Sequence, residues 1–276
     1  MHLEVATQRS IEWPCGTLSF LETGAPSDPA IVLLHGLGSR AESWRDQLAE
    51  LPRHRLRVIA WDQPGYGLST ALPMSGPSPA DYARAVTALV DALDLPRFFL
   101  LGHSLGALIA GVFAGGRGGA RVEKLVLASP TPGFAGAEPE ILRAKIQQRI
   151  DDMTVLGPVR LAEQRARHLL STGASPEAVE RVRTAMASLD PEAYMQAVRM
   201  LAQGDLLALA PRIARTTLVT SGTADLVTPE AQCRRIADAL PNGRYVPLSG
   251  LGHVSYVEDP RAFEAALLPF LQLEKK

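Results

Sequence analysis

The sequence predicts an α/β protein: a mostly parallel central sheet with helices on both faces and an inserted all-helical segment. Three observations carry this expectation. Short apolar runs alternate with helix-compatible stretches over residues 1–131, the signature of a parallel sheet covered on both faces. Buried-strand signals then vanish over 132–212, where helical stretches punctuated by proline follow one another. The alternation resumes over 213–276. The expected organisation is a core in two pieces, 1–131 and 213–276, with a helical cap, 132–212, between them.

Taken in order, Thr17 to Glu22 alternates with period two and stops at Gly24-Ala25-Pro26, which reads as an exposed strand. Ile31-Val32-Leu33-Leu34 is continuously apolar, as a strand buried on both faces should be. Ser39 to Leu51 reads as one helix with Trp44, Leu48 and Leu51 on one side, and Leu56 to Trp61 as the next strand. Ser78 to Leu93 is a helix with Ser78 as cap, Pro79 in the first turn and an apolar stripe of Tyr82, Val86, Leu89, Val90 and Leu93. A strand over 97–101, a helix over 107–114 and a strand over 124–128 follow. The insertion reads as helices over 139–153, 155–170, 176–189 and 191–207. Four of the six methionines lie in it, Met153, Met186, Met195 and Met200, either as ordinary core or as a pliable roof over a substrate. The chain closes with strands over 217–220 and 245–248 and helices over 229–240 and 260–271.

Composition narrows the function. With 46% hydrophobic residues and a mean hydropathy of +0.05 the chain can bury a good core. A net charge of −1 lacks the basic excess of a nucleic-acid or anionic-membrane binder. Cys15 and Cys233 are far apart, and neither Cys-x-x-Cys nor His-Glu-x-x-His occurs, so neither a disulfide framework nor a zinc site is expected. Cys233 reads as a buried small hydrophobe. Met1 to Ala6 has no basic n-region and no apolar core, and no apolar run reaches membrane-spanning length, so a cytoplasmic location is expected.

The chemistry is written around Gly102-His103-Ser104-Leu105-Gly106. Gly-x-Ser-x-Gly alone arises by chance in roughly one chain in ten of this length. Here it sits between an apolar strand and an apolar helix, where a sharp turn would push the Ser104 hydroxyl out of the backbone. A serine hydroxyl needs a base. Of the six histidines, His2 is terminal, His54 and His168 lie among arginines, His103 should point away from its neighbour, and His35 reads as structural in the loop after its strand. His253, in Ser249-Gly250-Leu251-Gly252-His253 after the last strand, falls at a strand carboxyl end level with Ser104. Asp225, between a strand and the helix begun by Pro229, can orient the imidazole. An oxyanion would need preorganised donors, for which the backbone N–H groups of Leu105 and of Leu37, within His35-Gly36-Leu37-Gly38, are the candidates.

These pieces, with Asp62-Gln63-Pro64-Gly65-Tyr66-Gly67-Leu68-Ser69, resemble an α/β-hydrolase-fold serine hydrolase with a helical cap, over nearly the whole chain and in family order. The resemblance implies a Ser104–Asp225–His253 triad, a structural Asp62 and no cofactor. In some relatives the acid follows the preceding strand; here that strand ends in Ser129-Pro130, which carries no carboxylate. A serine nucleophile sets the chain apart from the dehalogenases and epoxide hydrolases of this fold, which attack through a carboxylate. His253 to Pro260 is similar to the 3-oxoadipate enol-lactonase-like group, whereas meta-cleavage-product hydrolases usually carry tryptophan where Val254 stands. The implied substrate is a small carboxylic ester or enol-lactone; the alternatives are carbon–carbon hydrolysis of vinylogous diketones and, in a different class, a small-molecule receptor with residual hydrolysis. A carboxylate on the substrate would call for an arginine, and Arg40, Arg143, Arg149 and Arg199 are candidates by position.

Overall fold

The computed structural model describes residues 6–271. Within them, eight strands form one sheet: β1 (Thr7–Trp13), β2 (Gly16–Thr23), β3 (Ala30–Leu34), β4 (Arg57–Trp61), β5 (Phe98–His103), β6 (Val122–Ala128), β7 (Thr217–Gly222) and β8 (Gly243–Leu248), in the order β1-β2-β4-β3-β5-β6-β7-β8. The β1–β2 and β2–β4 pairs are antiparallel and the others parallel. The helices are α1 (Arg45–Glu50), α2 (Pro79–Ala92), α3 (Leu105–Gly115), α4 (Pro139–Arg165), α5 (Pro176–Ala187), α6 (Pro191–Gln203), α7 (Leu206–Leu209), α8 (Glu230–Ala239), α9 (Ser255–Glu258) and α10 (Pro260–Leu271). The chain is an α/β-hydrolase fold.

The central strands show why their sequences are continuously apolar. Val32, Leu34, Ile59, Leu100, Leu125 and Leu127 pack into one core. Their neighbours Ile31, Leu33, Val58, Ala60, Phe99, Leu101 and Val126 pack into a second, on the opposite face of the pleat. Met153, Met195 and Met200 belong to the first core, and Met186 packs with the second.

Several elements depart from the sequence expectation. β1 was not anticipated, because it is a largely exposed edge strand with no alternating apolar face. The helix expected over 39–51 is a 3-10 turn (Ala41–Trp44), α1, and a second 3-10 turn (Leu51–His54), with Pro52 in the latter and Arg55 at φ 59° ending it. The first long cap helix does not break near Thr154. α4 continues to Gly157, at φ 66° and ψ 172°, because the residue before Pro158 is excluded from helical geometry. α6 stops at Gln203, and Asp205 caps the separate α7 through the Ala208 N–H. α9, one turn after His253, was also missed. α2 has its expected start, with the Asp81 carboxylate accepting from the Ser78 N–H at 2.6 Å.

α4 to α7 lie between β6 and β7 in the chain, and the Leu206 N–H of α7 donates to the Pro132 carbonyl in the loop after β6 at 2.7 Å. Gln196 donates to the carbonyls of Leu72 and Met74, and a Cβ on Gly38 would lie 3.1 Å from Met186. Among the described residues no helix is long and apolar enough to cross a membrane.

A tight backbone crossing lies where α3 passes β3. A Cβ on Gly106 would sit 2.2 Å from the Leu34 carbonyl oxygen, with backbone on both sides and nothing flexible to move. Gly106→Ala is expected to cost on the order of 3 kcal/mol, read as a lower urea midpoint or loss of soluble protein.

Candidate active site

Ser104 is the single residue between β5 and α3, and it sits at φ 54°, ψ −112°, a conformation most side chains avoid. Its flanking glycines make the turn possible. A Cβ on Gly102 would lie 2.2 Å from the Gly106 carbonyl, and one on Gly106 would meet β3. The turn is anchored by the Ser104 N–H, which donates to Ala128 at 2.9 Å.

The three residues that the sequence singled out are brought together. His253 Nε2 lies 3.0 Å from Ser104 Oγ, and Nδ1 lies 2.9 Å from Asp225 Oδ2. A carboxylate only accepts, so Nδ1 carries the proton and Nε2 is left as acceptor toward the serine hydroxyl. Asp225 is held from behind as well: Oδ1 accepts from the N–H groups of Val227 and Thr228, and Oδ2 from the Thr228 hydroxyl at 2.7 Å. Burial alone would raise its pKa. The His253 charge and hydrogen bond, with those from Thr228, outweigh that and hold it at about 2. Thr228 was missed; its position three residues after Asp225, where a side chain returns to its own turn, was the available signal.

The loop after β3 places the other predicted group. The Gly36 carbonyl accepts from His35 Nδ1–H at 2.8 Å and from the Ser39 N–H at 3.1 Å. The Gly36–Leu37 peptide is planar and trans, so pinning that carbonyl fixes the Leu37 N–H in the opposite direction. Tyr66 donates to the Leu37 carbonyl at 3.0 Å. Leu37 and Leu105 both line one cavity with Ser104 and His253. Among the described residues, neither amide donates to a protein acceptor.

The remaining histidines separate by environment. His2 lies outside the described residues, and His54 and His168 are exposed. His35 is fully buried, and its Nε2 accepts from the Gln63 N–H at 3.1 Å; burial lowers its pKa to about 4. His103 donates from Nε2 to the His253 carbonyl at 2.9 Å. Burial and the neighbouring His253 lower its pKa to about 3. This clamp on the His253 backbone was not anticipated. Asp62 is structural, its carboxylate accepting from the Ala41 N–H and the Ser19 hydroxyl. Cys15 and Cys233 are free thiols, and Cys233 is buried.

The cavity has a volume of about 510 Å³. Of the four arginines named from sequence, Arg149 lines it. Arg40 contacts Ser188 and Glu42, Arg199 donates to the Ser75 carbonyl, and Arg143 is exposed. Lys145 and Arg165 also line the cavity, and among the described residues no acidic side chain does. Arg165 pairs with Asp152. Met186 is the one insertion methionine on that wall.

The two buried histidines give stability a pH dependence of known sign. Below about pH 6.5 the unfolded chain takes up protons that folded His35 and His103 refuse until about 4 and about 3. Stability therefore falls as pH drops through that window. Asp225 adds a contribution that is complete above its ordinary value of 3.8 and lost as pH falls toward 2. In urea unfolding from pH 7 to 4, His35→Asn is expected to be less stable at neutral pH but to flatten the slope, by up to about 1.4 kcal/mol per pH unit.

Known proteins share both sequence and shape with this chain. Residues 29–260 match the family described as alpha/beta hydrolase fold. A protein named as a carbamate hydrolase (RutD) from Variovorax paradoxus is 33% identical over 257 residues, 91% of this chain and 94% of the relative. The enol-lactonase of Burkholderia xenovorans superposes with a TM-score of 0.83 at 28% identity, over 92% of this chain and 96% of that one. A thermophilic esterase from Thermogutta terrifontis superposes with a TM-score of 0.86 at 25% identity, over 96% of this chain and 98% of that one. The strand–serine–helix turn, the sheet that carries it and the match over 29–260 agree: this chain belongs to the α/β-hydrolase fold family.

Proposed function

We propose that the protein hydrolyses a small carboxylic ester or enol-lactone through an acyl-enzyme. The single observation that carries this reading is the unbroken relay from Ser104 Oγ to His253 at 3.0 Å and from His253 to Asp225 at 2.9 Å. His253 Nε2 takes the hydroxyl proton as Ser104 Oγ bonds to the carbonyl carbon. Asp225 stabilises the resulting imidazolium, and the Leu37 and Leu105 amides receive the oxyanion. The same Nε2–H then gives its proton to the departing oxygen as the carbon–oxygen bond breaks. In a lactone the freed enol stays tethered to the acyl group. Water, losing a proton to His253, then bonds to the acyl carbon, and as the acyl–Oγ bond breaks His253 passes that proton to Ser104 and the acid is released. No cofactor enters the scheme.

Residues 132–212 serve as the cap whose wall selects the substrate. That wall presents Lys145 and Arg149, with Arg165 already paired to Asp152, and among the described residues no carboxylate, which suits a substrate bearing a carboxylate beyond its reacting carbonyl. Similarity to an enol-lactonase and an esterase supports the choice of leaving group. The relative named as a carbamate hydrolase adds carbamates to the acyl groups worth assaying.

The test compares wild type with Ser104→Ala on short and long p-nitrophenyl esters, an enol-lactone, a carbamate and a vinylogous diketone. Wild type is expected to open the lactone faster than it cleaves the diketone, and Ser104→Ala to lose turnover on the order of 10⁶-fold. Near-full hydrolysis by that variant would refute the scheme. Faster diketone cleavage would shift the reading to carbon–carbon hydrolysis, and a burst without turnover to a receptor. Arg149→Gln is expected to raise KM about tenfold for a carboxylate-bearing ester and to leave a neutral ester unchanged.

A further inference from the structure

One carboxylate ties the loop carrying His253 to the helical insertion. α9 is a single turn directly after His253, and it folds Glu258 back over the residue preceding that histidine. Glu258 Oε2 accepts from the Gly252 N–H at 2.9 Å and from the Ser171 N–H at 3.1 Å. Oε1 accepts from the Ser171 N–H at 3.2 Å and from the Ser171 hydroxyl. Gly252 belongs to the core and Ser171 to the insertion, at the end of its 3-10 turn Ala166–Leu169. Their backbones touch: a Cβ on Gly252 would lie 2.5 Å from the Leu170 carbonyl carbon. Beyond the histidine, the Val254 N–H donates to the Leu169 carbonyl at 3.1 Å. The loop 252–254 is thus gripped by the insertion on both sides of His253, while His103 holds the His253 carbonyl.

We propose that Glu258 is a positioning residue: by holding Gly252 against Ser171, its carboxylate keeps the His253 imidazole in line with Ser104 and makes that alignment depend on the docked insertion. This rests on the reading of His253 as the base. Glycine at 252 brings the two backbones together but lends the loop no stiffness of its own, and the carboxylate supplies it. Ion-assisted hydrogen bonds from several donors are the strong kind, and a displacement of about 1 Å at a catalytic group can cost on the order of 10²-fold in rate. Glu258 does not itself line the cavity, so it acts on turnover rather than on substrate binding.

The experiment uses Glu258→Gln, which keeps the shape but offers one acceptor oxygen in place of two, together with Ser171→Ala and the double variant. Circular dichroism and urea unfolding fix the folded fraction of each. With p-nitrophenyl acetate, Glu258→Gln is expected to lower kcat roughly tenfold or more with KM unchanged within about twofold. The double variant should be no slower than Glu258→Gln alone, because both changes open one clip. Amide hydrogen exchange should rise together in residues 249–254 and 168–172. The proposal is overturned if folded Glu258→Gln keeps its kcat within about twofold, if the loss lies in KM alone, or if exchange rises in only one of the two segments. Exchange needs no turnover, so it decides the coupling even if Ser104→Ala were to leave hydrolysis intact and so defeat the acyl-enzyme reading.

Discussion

The backbone turn at Ser104 is the constraint on which the rest of the site depends. At φ 54° and ψ −112° the residue stores on the order of 1–3 kcal/mol of conformational strain. The conformation persists because its surroundings leave no alternative. β5 is fixed between β3 and β6, α3 presses on the Leu34 carbonyl through Gly106, and the Ser104 N–H is held by Ala128. The turn aims the hydroxyl out of the sheet and starts α3 at Leu105, so the first free amide of that helix faces the same side. A slacker turn would misplace both groups at once.

Around that turn, burial divides the histidines by role. His35 and His103 are enclosed and kept neutral, and each uses a ring N–H to pin a carbonyl, those of Gly36 and His253. Neutrality is what makes them useful, because a fixed tautomer donates from one nitrogen in one direction. His253 alone faces a carboxylate on one side and the cavity on the other. Three imidazoles within a few residues of the cavity thus have different duties, set by what surrounds each of them.

Much of this was legible in the sequence, for identifiable reasons. The strands 31–34, 98–101 and 125–128 announce themselves because burial on both faces leaves no polar position there. The positions of Ser104, Asp225 and His253 could be read because each follows a strand, where the sheet delivers side chains to one rim. The edge strand β1 was hidden because its first four residues are exposed and only Ile11 and Trp13 near its end pack on the core. Tyr66 and the His103 clamp were hidden because their contacts join loops distant in sequence, and no periodicity encodes such contacts, whereas Thr228 bonds Asp225 within its own turn. The Gly157 break was visible only as a glycine before a proline, a pair that also fits an ordinary helix end.

That break divides the wall of the cavity mechanically. Lys145 and Arg149 lie on the arm of α4 before Gly157, while Arg165 and Leu169 lie after it, on the arm that leads to the histidine loop. The helical ladder is interrupted between them, and beside Gly157 a side chain would find open space. The Arg165–Asp152 ion pair spans the joint. The cationic wall of the cavity is thus built from two helical arms set at an angle by one glycine, with Lys145 and Arg149 on the first and Arg165 on the second.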